Sequence, residues 1–474
     1  MLRNKIKDIA KDSSIYGVSK ILGQAISFFL IPLYTKYLSP EDYGVLNIMG
    51  LVIVSLSLLM NIGLDSATYR FVGMCKNEDE QKIYVGSAQL ITIISIIVIT
   101  ILTIIFSKSI NTFAIVEKSP IIYLFLAIIN GVFASTASIP RAYLRINRKV
   151  KVIALASMLN VFGSIIPTLI LVVYFQLGVK GAMIGGIIGT LLSSLYLVLN
   201  VPITSFKNFN LGKSKELLIY CLPALPTQIF AFAIPLYSQW SVKQILSLNE
   251  LGLYAVSLKF TLPLTLMLTM FQQAYAPYKY QIIKTDKDPK LTFSRIMNLF
   301  VIGFGFLVII TTFFGGDLLK LMTTENYHTA APFVFYMALI PFAQGLYFMF
   351  SSGLEFAKNP IYRPIISGAG LLTVLISNNW LIKHFGIPGA AISIVLSWLV
   401  MALGNLIYAQ KLYSIKYKWF LILNSICFIF VIGFYVNTYF QNFIVFKILI
   451  SGLIIISGTF YLNKKHNLLK ILKF

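Results

Sequence analysis

The chain predicts an all-α polytopic membrane protein of about 14 transmembrane helices, and three observations lead there. Its 474 residues are 58% hydrophobic and only 12% charged, with a mean hydropathy of +0.82, and a soluble core of this length needs far more polar surface to cover it. Apolar runs of roughly 20 residues, the length that crosses a bilayer, recur between clusters of charge and turn residues. The chain also writes parts of itself twice. Ile31-Pro-Leu-Tyr34 returns as Ile234-Pro-Leu-Tyr237, and Leu38-Ser39 to Gly44 is echoed by Leu246-Ser247 to Gly252, with an acidic residue two places before each glycine. Gly178-Val-Lys-Gly-Ala182 matches Gly386-Ile-Pro-Gly-Ala390 at the same offset of 208 that relates Gly44 to Gly252. A duplicated membrane half implies two lobes around a cavity.

Taken in order, spans are expected at Ile15 to Tyr34, Val45 to Asp65, Ile83 to Phe106, Ile121 to Pro140, Val152 to Phe175 and Ala182 to Pro202. The second series runs Leu217 to Trp240, Leu253 to Ala276, Phe293 to Phe314, Ala330 to Ser352, Ile361 to Ile382 and Ala390 to Ala409. Trp419 to Val436 and Phe443 to Leu462 complete the count. Six plus six spans fit the duplication, because an even number per half inserts both halves in one direction and relates them by an axis along the membrane normal. The expected organisation is a lobe over 1–210, a lobe over 211–412, and an appendage over 413–474 of two helices and a basic tail.

Basic residues orient the chain. With a cytoplasmic N-terminus, 28 of the 39 Lys and Arg residues fall on inner segments and 7 on outer loops, so both termini are expected in the cytoplasm. The charged first dozen residues run into a full-length span without a small-residue cleavage site, so the N-terminus is expected to stay on the protein. The net charge of +23 is then mostly topology, and no basic, aromatic-bearing soluble domain exists to bind nucleic acid. Three scattered cysteines and three isolated histidines offer no metal-ligand spacing and no disulfide framework.

Within the spans, Pro32 and Pro235 stand at equivalent places of the two halves, which favours built-in bends at a hinge over ordinary tolerated kinks. Gly181-x-x-x-Gly185-x-x-x-Gly189 presents a smooth strip that lets a neighbouring helix approach closely. Polar groups inside a membrane are costly and face a cavity or each other. Lys259, about eight residues into its span and so about 12 Å deep at 1.5 Å per residue, is the leading candidate to hold a substrate; the alternative is a brace on a carbonyl opened by Pro263. Lys20 reads either as a cavity cation or as a snorkelling lysine, with Gln24 one turn further along. Asp65 and Arg70 close the second helix as a local pair or as a portal. Gln272, Gln273 and Asn378, with Gln228, Gln344 and Asn379, offer hydrogen bonds to sugar hydroxyls or to adjacent helices.

The deepest charges are cations and the carboxylates lie near span ends, a sign that suits an anionic substrate better than a cationic drug. No HExxH, GxSxG, Walker loop or spaced carboxylate pair is present. An enzyme is not expected, and neither is a cofactor.

Several segments in order resemble the polysaccharide-biosynthesis flippases, Wzx-type members of the multidrug/oligosaccharidyl-lipid/polysaccharide exporter superfamily that serve O-antigen, capsule or teichoic acid assembly. They are Leu38-Ser-Pro-Glu-Asp-Tyr-Gly44, Gly63-Leu64 with Arg70-Phe71, Arg141-Ala-Tyr-Leu-Arg145, Gly178 to Ala182, Leu222-Pro-Ala-Leu-Pro226, Gly252-Leu-Tyr254 and Tyr327-His-Thr-Ala-Ala-Pro332. The resemblance implies two six-helix lobes, often with two extra C-terminal helices. It implies movement of an undecaprenyl-diphosphate-linked oligosaccharide across the bacterial inner membrane by alternating access, with a polysaccharide polymerase and a chain-length regulator as partners. Cavity cations of the family would correspond here to Lys20, Arg70 and Lys259. The alternatives are a small-molecule antiporter of the same superfamily and a non-transporting component of a glycan-assembly complex.

Overall fold

The computed structural model describes residues 28–75, 77–114, 121–201, 209–286, 288–352 and 362–439. Every regular element among them is helical. The chain divides by packing into two compact units, Met1–Gly252 and Leu253–Phe474.

The first unit holds α1 (Ile31–Tyr37), α2 (Pro40–Asn61), α3 (Leu64–Met74), α4 (Glu78–Ile105), α5 (Ser107–Ala114), α6 (Ile122–Thr136) and α7 (Ser138–Ile146). It continues with α8 (Val150–Leu169), α9 (Gly178–Leu199), α10 (Leu211–Cys221), α11 (Leu225–Ile245) and the first residues of α12 (Leu248–Lys259). The second unit takes up the rest of α12 and adds α13 (Leu262–Thr285), α14 (Pro289–Met322), α15 (Phe333–Phe350), α16 (Tyr362–Phe385), α17 (Ile387–Leu412) and α18 (Trp419–Tyr439). Division by packing at Gly252 keeps α10 and α11 with the first unit, whereas the repeat in sequence starts a second lobe at 211.

Nine of the described helices are long and apolar enough to cross a membrane, and eleven spans result when the bent pairs α10–α11 and α12–α13 each count as one. The α18 helix falls on the next expected span. Residues 1–27 and 440–474, with most of the first expected span and all of the last, lie outside the described residues. On α4 the side chains of Ile94, Ile97, Val98 and Ile101 are about half exposed, an apolar face suited to lipid. The second unit carries an aromatic core instead, in which Phe300 stacks on Phe304 (5.2 Å between centroids) and on Phe342 (6.5 Å).

Helix starts are written into the repeated motif. Ser39 accepts from the Asp42 backbone N–H (3.1 Å), the Asp42 carboxylate accepts from the Ser39 N–H (3.2 Å), and Pro40 opens the helix where its missing donor costs nothing. In the second copy Ser247 accepts from the Glu250 N–H (3.1 Å) and caps α12 in the same way.

The glycine strip does what its spacing predicts. A Cβ on Gly185 would stand 2.7 Å from the Thr168 nitrogen, and one on Gly189 would stand 2.6 Å from the Ser164 nitrogen, so α9 lies directly against the α8 backbone. The offset of 208 carries Gly185 to Ser393 and Gly189 to Ser397 on α17. There the contact is made by hydroxyls: Ser393 bonds Ser377 (2.6 Å) and Ser397 donates to the Gly370 carbonyl (2.8 Å).

Two expectations need correction. The second span stops at Asn61, because Ile62 (φ +52°) and Gly63 (φ +74°) take the left-handed conformation that ends a helix. Asp65 and Arg70 therefore belong to the separate helix α3 and do not close the span. Lys279, one of the 28 basic residues counted on inner segments between spans, lies instead in α13 and is fully buried, its ammonium 4.5 Å from the Phe348 ring centroid and 5.4 Å from that of Tyr275.

Candidate functional site

Lys259 is the last residue of α12, and the chain bends by 49° between α12 and α13. The cause is local. Pro263 has no N–H to offer the carbonyl four residues back, which is that of Lys259 itself, and the connecting amides of Phe260 and Thr261 turn instead to Ser257 (3.2 Å) and Leu258 (3.1 Å). The Lys259 side chain is half-buried, and among the described residues no hydrogen bond or ion pair reaches its ammonium. The bracing contact weighed from sequence is not made.

Beyond the break, Thr261 at the N-cap of α13 and Thr265, Thr269 and Gln273 within it stand four residues apart, a spacing that sets them along one helix face. Thr265 donates to the Thr261 carbonyl (3.2 Å) and Thr269 to that of Thr265 (2.7 Å), so their donors are used within the helix while their oxygens can still accept. Gln272 is half-buried and Gln273 exposed, and neither is hydrogen-bonded among the described residues. Sequence reasoning named the two glutamines but missed Thr265 and Thr269, although their spacing was there to find. Asn378 is fully buried in α16, among the packed helices of the second unit.

In the first unit Asp65 and Arg70 are not ion-paired. The Arg70 guanidinium lies over the Tyr220 ring (4.5 Å) and near that of Phe71 (5.9 Å), with its side chain exposed. Phe71 stacks on Tyr84 (5.4 Å), whose hydroxyl donates to Glu216 and accepts from Lys213 (2.9 Å). Lys213 also stands 3.5 Å from Glu216 and 4.0 Å from Glu80. This network ties α3, α4 and α10 together and presents Arg70 on an aromatic platform. Asn47 on α2 donates to Gln239 on α11, an amide pair within the membrane-length helices that the sequence reading did not single out. Lys20 and Gln24 lie outside the described residues.

Pro32 stands at the start of α1, just past a turn at Leu30, and Pro235 lies within the continuous helix α11. The 49° bend of the α10–α11 pair is earlier, at Leu222-Pro-Ala224. Among the described residues no cluster of His, Cys, Asp and Glu could hold a metal ion. Burial, then the Glu80 carboxylate, pushes the Cys75 thiol up.

The geometry offers a half-buried cation at a broken helix, followed by a face of hydroxyl and amide oxygens. A profile of the family described as "Polysaccharide biosynthesis protein" matches residues 34–332. The chain belongs to that family. Among curated proteins none matches it.

The chain is similar in structure to a lipid II flippase, MurJ, in an inward closed conformation, with a TM-score of 0.72 and 17% identity over 94% of this chain and 98% of that one. It is similar to a MATE family multidrug resistance transporter of the MOP superfamily in an inward-facing conformation (TM-score 0.63, 14% identity, 84% and 97% covered). A MOP superfamily transporter from Pyrococcus furiosus also matches (TM-score 0.59, 15% identity, 85% and 95% covered). The chain therefore shares the fold of these solved proteins, and with its long apolar helices it is a multi-pass membrane protein.

Proposed function

We propose that this protein is a flippase that moves an undecaprenyl-diphosphate-linked oligosaccharide from the cytoplasmic to the outer leaflet of a bacterial inner membrane, both of its termini lying in the cytoplasm. The observation that carries the reading is Lys259: a cation at a helix break with no partner among the described residues, where an unpaired lysine at bilayer depth costs about 2.5 to 3.5 kcal/mol on insertion scales. An anionic diphosphate supplies the missing partner. The threonine and glutamine face of α13 that follows offers acceptors for sugar hydroxyls. Lys20 and Gln24 are the proposed companions of Lys259, Arg70 with Asp65 the proposed entry, and Gln272, Gln273 and Asn378 the proposed polar lining. A polysaccharide polymerase and a chain-length regulator are the proposed partners in assembly.

The test compares Lys259→Arg with Lys259→Gln in cells that display the glycan and in vesicles loaded with lipid-linked substrate. Arginine keeps the charge and is expected to retain most of the flux, whereas glutamine is expected to lose most of it at parental abundance. Normal flux in Lys259→Gln removes the diphosphate role.

A further inference from the structure

The long helix α17 ends at Leu412, and six residues later α18 begins at Trp419. Since α17 is long and apolar enough to cross a membrane, this junction stands where hydrocarbon gives way to headgroups. A cavity of about 550 Å³ opens there, floored by Leu406, Ile407 and Ile415. Tyr417 and Trp419 form its aromatic wall, and Gln410 and Lys416 are its polar lining.

The cavity is preformed. The Gln410 amide donates to the Ile415 carbonyl (2.7 Å) and accepts from the Ile415 N–H (3.0 Å), which pins the connecting segment. Phe350 holds both wall rings, edge-on to Tyr417 (5.4 Å) and stacked with Trp419 (6.1 Å). With Gln410 so engaged, the charged group left to meet a ligand is that of the exposed Lys416. Burial pushes the Tyr417 hydroxyl up, so it stays a donor at neutral pH.

The charge around the cavity has one sign. Lys411, Lys416 and Lys418 fall within eight residues, and no acidic residue occurs after Glu355. A carboxylate does act near the start of this segment, where Asp288 raises the Tyr413 hydroxyl after burial, but Lys290 sits over the same ring at 5.2 Å. Ile407 on the cavity floor and Phe420 beside Trp419 leave 55% and 84% of their surface exposed, apolar surface next to Lys416 in the same junction.

We infer that the α17–α18 junction binds an anionic phospholipid, its phosphate at Lys416 and its acyl chains along Ile407 and Phe420. A soluble anion would satisfy the lysine and leave the apolar floor wet; a zwitterionic lipid would cover the floor and bring no net charge to the lysines. The site shares no residue with the Lys259 site, and the inference does not depend on the flippase reading. Its consequence is a lipid that fastens α18 to α17.

The full chain, purified and stripped of lipid, is to be exchanged into nanodiscs containing equal phosphatidylglycerol and phosphatidylcholine, with retained lipid counted by native mass spectrometry after release. The parental protein is expected to retain phosphatidylglycerol preferentially. The Lys416→Gln/Lys418→Gln pair is expected to lose about fivefold of that preference per lysine, while Lys416→Arg/Lys418→Arg and the remote Lys383→Gln keep it. Equal retention of both lipids by the parental protein, or an unchanged preference in the glutamine pair, overturns the inference. Displacement of the lipid by millimolar inorganic phosphate overturns the lipid assignment and leaves a simple anion site.

Discussion

Gly44 and Gly252 meet backbone to backbone. A Cβ on Gly44 would fall on the Leu248 carbonyl oxygen and lie 3.2 Å from the Gly252 nitrogen, and one on Gly252 would fall on the carbonyl of Pro40. The offset of 208 maps Pro40 onto Leu248 and Gly44 onto Gly252, so each copy of the motif offers its carbonyl to the other copy's glycine. This reciprocity is that of a twofold contact, made within one chain and inside the first packing unit. The contact explains why both motifs place a glycine five residues after the capping serine.

Leucine at either glycine is expected to destabilise the purified protein by about 1–3 kcal/mol of overpacking or more, read as a lower melting temperature, since backbone cannot move aside as a side chain can. Gly50, with nothing within 4 Å of its Cβ position, is the control and should accept a side chain with little effect. Unchanged melting of both Gly44→Leu and Gly252→Leu would show that the helices part readily at this contact.

The two halves solve one packing problem in two ways, and exchange between them should be asymmetric. Gly185→Ser drives a side chain into Thr168 and is expected to destabilise strongly, whereas Ser393→Gly removes a hydroxyl pair at about 0.5–1.5 kcal/mol. Thermal unfolding in detergent measures both. Equal costs would mean that the close approach of α8 and α9 matters no more than one hydrogen bond.

Arg70 rests on an aromatic ring, not on a carboxylate. Tyr220→Leu is therefore expected to cost about 0.5–2 kcal/mol, and Asp65→Asn little. Tyr220→Phe, which keeps the ring, should behave as the parent. A larger effect from Asp65→Asn than from Tyr220→Leu would restore the ion pair.

If Pro32 and Pro235 act as hinges, the double alanine variant should insert at normal abundance and translocate substrate more slowly. Vesicle translocation rates check it. A parental rate would move attention to the 49° break at Leu222-Pro-Ala224.

Orientation is checked by reporter fusions at the C-terminus. A phosphatase that is active only outside the cytoplasm should be inactive there, and activity would overturn the orientation read from the 28 to 7 division of basic residues.

What the sequence determined by itself follows from the bilayer as solvent. Span length, membrane class and the duplication are legible because hydrocarbon imposes a run of about 20 apolar residues wherever the chain crosses, and because two halves obeying one rule keep the same landmarks. Even the glycine strip on α9 could be read from spacing, since a face without side chains can only serve close approach. Partner and conformation could not. Whether Arg70 pairs with Asp65 or lies on Tyr220 depends on where α10 packs, 150 residues further along the chain. Lys279 looked like a loop lysine until Tyr275 and Phe348 closed over it, and Lys259 gained its meaning from a bend that Pro263 permits but that only packing aims. Hydropathy is a property of a segment, whereas the environment of one charged side chain is set by residues remote in sequence, and the tertiary structure alone brings those residues to it.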